Sequence, residues 1–229
     1  KRFIEKPVNP PAMAEVPDRA LASMGIYVTR WAWLRGLLRE SPMPMDFGHD
    51  VLPKAVTAGD VGVYCFSHAD PTLTPYWRDV GTLDAYHDAH MDLVSVHPIF
   101  NLYNSDWPVY NQQINLPPAK FIHDSEGNQG RTQDSIVSLG VVVSGGVVDR
   151  SVLSPNVRVS SRTLITESVL LDDVQVGRDC TIRKAILDKN VVVSDGASIG
   201  VSKERDLERG FTVTESGITV VAKGRLVTP

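Results

Sequence analysis

The chain has 229 residues, enough for one large domain or two ordinary ones, and its 42% hydrophobic content can fill a sizeable core. A formal net charge of -4 argues against phosphate-backbone binding, and no apolar run approaches the ~20 residues of a membrane span. The opening "KRFIEKPVNPP" lacks the apolar centre of a signal peptide, so a soluble cytoplasmic protein is expected, with neither nucleic acid nor membrane as partner.

The chain opens at Lys1 without methionine, inside an expected strand "RFIEKP", as a piece of a longer chain would. "ASMGIYVT" (residues 22–29) predicts a strand, and "RWAWLRGLLRE" a helix with Trp31, Leu34, Leu37 and Leu38 at helical spacing, stopped by Pro42. "HDVLPKAVTAG" predicts a short helix ended by Gly59, and "VGVYCFS" a strand. Thr82 is placed as an N-cap and Asp84 complements the helix dipole, so "LDAYHDAHMDLVS" predicts a helix with Leu83, Tyr86, His90 and Leu93 on one face. Cys65 and Cys180 lack metal-type spacing and lie in expected strand interiors, which predicts reduced, buried thiols. This first segment reads as an α/β layer.

From His97 to about Gly130 neither period holds, and the Pro, Asn and aromatic content predicts an extended connection. Aliphatic residues then recur in steps of six at Val141, Val147, Leu153, Val159, Ile165 and Leu171. They continue at Val176, Ile182, Leu187, Val193 and Ile199 with two steps of five. Small or modest residues follow four places later, as at Gly145, Ser151, Thr163, Cys180 and Ala197. This is a hexapeptide signature of a parallel β-helix, a triangular prism expected to hold about three coils of roughly eighteen residues. "FTVTESGITVVAKG" predicts a closing hairpin that turns at Ser216 and Gly217.

Several side chains carry candidate chemistry. Glu5 and Lys6 pair an acid and a base for hydroxyl and phosphate recognition, but neighbours on a strand face opposite ways unless the strand breaks at Pro7. Ser23 stands beside Gly25, where a backbone can approach a ligand closely. Asp79, at a strand-to-helix junction after Trp77 and Arg78, either offers oxygen to a hard cation or merely caps the helix or pairs with Arg78. "DFGHD" (46–50) has no accompanying kinase motif, and His87 with His90 lacks a third convergent ligand.

Taken in order, "EKP", "ASMGIYV", "DFGHDVLP", "YWRDVGTLDAY", "NLYNSDWPVY", "PPAKF", "DSIVSLG", "SVLSPNVRV", "LLDDVQVGR", "AILDKNVVV" and "ESGITVV" resemble bacterial glucose-1-phosphate adenylyltransferases. The resemblance implies the C-terminal half of a Rossmann-like nucleotidyltransferase domain at 1–95, a linker at 96–130, and a left-handed β-helix with its hairpin at 131–229. It implies that glucose 1-phosphate attacks ATP with Mg2+ assistance, for glycogen synthesis, in a homotetramer regulated by anionic allosteric effectors. Glu5, Lys6, Ser23, Asp46, Phe47 and Trp77 match glucose 1-phosphate-binding positions, and Asp79 matches a metal-binding aspartate. Arg183 and Lys184 either supply effector charge or form a solvated face of the prism. The family's glycine-rich GGxGxRL loop has no counterpart in the chain, which is therefore expected to be inactive alone. Two alternatives remain: a hexapeptide acyltransferase, opposed by the lack of any histidine from Asp134 to Ile199, and a non-catalytic regulatory or scaffolding homologue.

Overall fold

A computed structural model describes residues 3–14, 16–40, 44–66, 75–112 and 114–229. They form two compact units, Lys1–Trp77 and Arg78–Pro229.

In the first unit, helix α1 spans Trp31–Leu37 and a π-helical turn, Phe47–Val51, leads into helix α2, Leu52–Ala58. Gly59 ends α2 at φ 80, the left-handed conformation that suits glycine after a helix. Val51, Leu52 and Ala55 are buried. An ion pair from Lys54 to Glu40 (2.9 Å) and a hydrogen bond from Trp33 Nε1 to Asp60 (3.2 Å) tie α1 to α2 and the residues after it. The expected face of α1 is only half-buried at Leu34, Leu37 and Leu38, and Trp31 is exposed. Pro42, its expected stop, lies outside the described residues.

The strands expected at "RFIEKP", "ASMGIYVT" and "VGVYCFS" are not formed among the described residues. Val28 is 99% exposed and Tyr64 85%. A strand with β-propensity is stabilised by its ladder neighbours, and among the described residues none is paired to these segments. Cys65 is accordingly exposed rather than buried, whereas Cys180 is buried and burial raises its thiol pKa.

The second unit begins with helix α3, Leu83–Leu93, capped as expected by Thr82, whose hydroxyl accepts from the Ala85 N–H at 3.1 Å. Its buried stripe differs from the predicted one. His87 is 3% exposed and Leu83 40%, and Tyr86, Met91 and Val94 pack against Val152, Val169, Ile186 and Ile218 of the prism. His87 reaches the prism through Nε2, 2.7 Å from the Glu167 carbonyl.

The first coil holds β1 (Lys120–Ile122), β2 (Arg131–Gln133) and β3 (Ile136–Val137), so the prism begins inside the stretch read as a connection. The second holds β4 (Val142–Ser144), β5 (Val147–Asp149) and β6 (Val152–Leu153), and the third β7 (Arg158–Val159), β8 (Leu164–Thr166) and β9 (Val169–Leu170). The fourth holds β10 (Gln175–Val176), β11 (Thr181–Arg183) and β12 (Ala185–Leu187). Next, β13 (Val192–Val193) and β14 (Ser198–Ile199) are followed by helix α4 (Lys203–Glu208) and β15 (Thr212–Val213). The chain ends with β16 (Thr219–Val221) and β17 (Leu226–Val227). These strands make three faces, ordered β1-β4-β7-β10-β13-β17, β2-β5-β8-β11-β14 and β3-β6-β9-β12-β16-β15. All pairings are parallel except β15 with β16, the expected hairpin, where Gly217 turns at φ 86.

Gln175 lies beside both Arg158 and Val192, and Arg158 beside Val142, so these coils advance seventeen or sixteen residues rather than eighteen. One or two sides of such a triangle are therefore a residue short, and the inward positions follow steps of five and six. Val148 and Leu170 are fully buried in place of the predicted Val147 and Leu171, which are half-buried. The corners hold the left-handed conformation in columns: Asn156, Asp173 and Asn190 at φ 64, 62 and 60; Arg162 and Asp179 at 57 and 56; Arg150, Glu167 and Lys184 at 44, 47 and 45. This conformation costs a non-glycine residue roughly 1 kcal/mol or more.

Corner side chains join successive coils. Asn156 donates to Asp173 at 2.6 Å, and Arg150 pairs with Glu167 at 3.2 Å. Arg162 makes a two-pronged contact with Asp179 (2.6 and 2.8 Å) and a third with Glu126 (2.7 Å). Inside, Ser151 N–H donates to Ser135 Oγ, Ser168 N–H to Ser151 Oγ and Ala185 N–H to Ser168 Oγ, at 3.0, 3.1 and 3.2 Å. Ser151 and Ser168 hydroxyls donate in turn to the Asp149 and Thr166 carbonyls, both at 2.7 Å. No helix among the described residues is long and apolar enough to cross a membrane.

Removing one rung of this ladder, Ser168→Ala, leaves a buried N–H unpaired and is expected to cost about 1–3 kcal/mol, read as a lower urea midpoint at unchanged slope. A second prediction concerns acid. The Asn128 side chain donates to Asp124 at 2.7 Å and leads the contacts that hold its carboxyl at about 2, below the ordinary 3.8. A depressed folded value means that this stabilisation is complete above about pH 4 and is lost as pH falls towards 2. Urea titrations across that range should show a flatter acid limb in Asp124→Asn.

Candidate functional site

Most of the predicted sugar-phosphate residues meet in the first unit, through local turns rather than sheet pairing. At Glu5 and Lys6 the chain bends instead of continuing as a strand, and Lys6 takes φ 40. Lys6 Nζ thereby comes 3.9 Å from the Glu5 carboxylate, so both charges reach one side, as the strand register alone forbids. Lys6 is exposed and Glu5 half-buried. The Glu5 carboxylate lies against Gly48, where an added Cβ would overlap it.

Gly48 belongs to the π-helical turn, whose N-terminus is built by two aspartates. Asp46 Oδ1 accepts from the His49 N–H at 2.7 Å, which caps the turn. Asp50 Oδ2 accepts from Met45 N–H at 2.7 Å and Asp46 N–H at 3.0 Å. These backbone bonds, Met45 first, lower the Asp50 pKa. Phe47 stacks on Tyr27 with ring centroids 5.5 Å apart and planes 11° from parallel. The Tyr27 hydroxyl is 2.9 Å from Ser23 Oγ, which also accepts from Gly25 N–H at 3.2 Å. Contacts thus run without a break from Lys6 through Glu5, Gly48, Phe47 and Tyr27 to Ser23. Tyr27 and Gly48 were missed from the sequence: Tyr27 reads there as strand content, and nothing in the spacing of Gly48 marks a carboxylate neighbour.

Trp77, the last residue of this unit, is 47% exposed. Asp79 belongs to the second unit, where its Oδ1 accepts from Gly81 N–H at 2.8 Å, two residues before the helix it precedes. No cluster of three or more His, Cys, Asp or Glu able to hold a metal occurs among the described residues. One carboxylate does not make a protein cage for a divalent ion. It does fit Mg2+, which is held by one or two carboxylates together with substrate phosphates. Arg183 is exposed on the prism, and Lys184 Nζ donates to the Ser216 carbonyl at 2.6 Å.

Comparison with known proteins matches residues 1–96 to the family described as "Nucleotidyl transferase" and residues 117–221 to "GlmU-like, C-terminal hexapeptide". A glucose-1-phosphate adenylyltransferase of Parafrankia sp. is 49% identical over 97% of this chain and 56% of its own length. Those of Bifidobacterium adolescentis and an Arthrobacter sp. are each 48% identical, over 99% and 98% of this chain and 57% and 50% of their own lengths. Over almost its whole length the chain is similar to glucose-1-phosphate adenylyltransferases. It spans about half the length of the curated relatives it matches.

A glycine whose missing Cβ makes room for a carboxylate has a direct test. Gly48→Ala is expected to swing the flexible Glu5 side chain away and to leave the helical turn folded. A crystal structure of the variant checks this, and a Glu5 carboxylate still seated on residue 48 would contradict it.

Proposed function

We propose that this chain is the sugar-phosphate-binding and assembly portion of a glucose-1-phosphate adenylyltransferase, which joins ATP and glucose 1-phosphate into ADP-glucose and diphosphate for glycogen synthesis. The continuous cluster Lys6–Glu5–Gly48–Phe47–Tyr27–Ser23 carries the reading, because it gathers a cation, a carboxylate, a hydroxyl and an aromatic ring. Those are the groups a phosphorylated sugar requires.

In the proposed reaction a phosphate oxygen of glucose 1-phosphate attacks the α-phosphorus of ATP. The bond from that phosphorus to the oxygen bridging towards the β-phosphate breaks, and the electron pair leaves with diphosphate. Lys6, exposed and mobile on its stem, neutralises the sugar phosphate, and Ser23 donates a hydrogen bond to it. Glu5 accepts from sugar hydroxyls, with its carboxylate oriented by the Gly48 backbone. Asp46, Phe47 and Trp77 line the sugar. Asp79 would hold Mg2+, which supplies charge neutralisation and alignment of the reacting phosphates. In this reading the prism serves assembly into a cytoplasmic homotetramer, and Arg183 with Lys184 offers positive charge to anionic effectors.

Lys6→Ala in the full-length enzyme tests the assignment. The KM for glucose 1-phosphate should rise about tenfold or more, the scale of a lost charge-assisted hydrogen bond, while the KM for ATP stays within about twofold. Diphosphate release is the readout, and the isolated chain should release none. Equal shifts for both substrates would sink the assignment, and a full-length protein that is inactive yet still binds effectors would instead be a non-catalytic homologue.

A further inference from the structure

Asp79 stands on the junction that leads into α3. Its neighbours Val80 and Gly81 are exposed, and the carboxylate is fixed locally by one bond to Gly81 N–H. The start of α3 is far better anchored. Thr82 caps the helix, and Asp84 in its first turn accepts hydrogen bonds from two hydroxyls 130 residues or more away in the chain. Thr214 Oγ1 donates to Asp84 Oδ1 at 2.9 Å and the Ser216 hydroxyl donates to the same oxygen.

Both hydroxyls sit in the turn between β15 and β16, and that turn is itself braced. Thr214 Oγ1 accepts from Ile218 N–H at 3.1 Å, Gly217 N–H donates to the Thr214 carbonyl at 3.0 Å, and Lys184 Nζ holds the Ser216 carbonyl at 2.6 Å. The Ser216 and Thr214 bonds lead in lowering the Asp84 pKa, so the carboxylate is kept charged where it also meets the helix N-terminus.

We propose that Asp84, Thr214 and Ser216 are positioning residues for the metal-binding reaction step: through them the β-helix hairpin holds the 79–82 junction and with it the Asp79 carboxylate. This rests on the reading of Asp79 as an Mg2+ ligand. Only four residues separate Asp79 from Asp84, and the Gly81 and Thr82 bonds leave little slack between them. The insertion in the coil sequence is α4 with β15, since β16 stacks directly on β12 after thirty-four residues, two coil lengths, and β15 lies beyond it at the edge of the face.

The test uses the full-length enzyme and two readouts, Mg2+ half-saturation of diphosphate release and hydrogen exchange of the amides at 81–85. Asp84→Ala is expected to raise the Mg2+ half-saturation about tenfold, the scale of hydrogen bonds lost from a charged acceptor, and to speed exchange at those amides. Asp84→Asn keeps the accepting oxygen and should restore much of both. The pair Thr214→Val with Ser216→Ala should reproduce the effect and add little to Asp84→Ala. If Asp84→Ala lowers the melting temperature but moves neither readout, its role is structural and the proposal falls. Asp79→Ala separates the underlying reading: an unchanged Mg2+ requirement in that variant would remove Asp79 from the metal site, and the exchange data alone would then decide whether the hairpin holds the junction.

Discussion

Parallel strands two or three residues long must stack in register with no slack in the connections, and this condition shapes the second unit. The coils in the middle of the prism turn three corners in sixteen or seventeen residues, which forces single residues at the corners into the left-handed region. Most of them are not glycine. The cost is offset by side chains that reach the same corner of the next coil, as Arg162 does to Asp179, and by the buried serines that link one coil's hydroxyl to the next coil's N–H. Because every backbone rung depends on both neighbours, stability spreads along the prism as nearest-neighbour terms. The result is a stiff body with a half-apolar face on which α3 lies.

Among its described residues the first unit has no such ladder. It has a helical turn at 47–51 with aspartate caps, and the candidate sugar-phosphate residues Glu5, Lys6, Ser23, Asp46 and Phe47 gather around that turn through a chain of contacts. Parallel strands find their ladder partners across long crossovers, so segments such as "ASMGIYVT" depend on pairing supplied from a distance in the chain. The local contacts nevertheless bring Glu5 and Lys6 to one side and link Ser23 to Phe47.

Some elements were legible because their signals are local. The Thr82 cap, the Gly59 stop, the hairpin at Ser216 and Gly217 and the hexapeptide period each depend on a few consecutive residues. Val147 and Leu171 were misplaced by one residue because a period of six approximates a mixture of fives and sixes until neighbouring coils set the register. Cys65 was misjudged because burial belongs to the partner surface and not to the strand pattern. His87 went unrecognised as the buried residue of α3, since an imidazole is accepted inside only where a carbonyl such as that of Glu167 awaits it.

By itself the sequence determined what short-range chemistry can: which residues cap and end the helices, that aliphatic side chains repeat with a coil's period, and which charged groups resemble those of a sugar nucleotide enzyme. Tertiary structure alone decided which hydroxyl meets which carboxylate. Asp84 joins Thr214 and Ser216, and Tyr27 bridges Ser23 to Phe47, because folding closes loops whose ends carry no mutual signal along the chain.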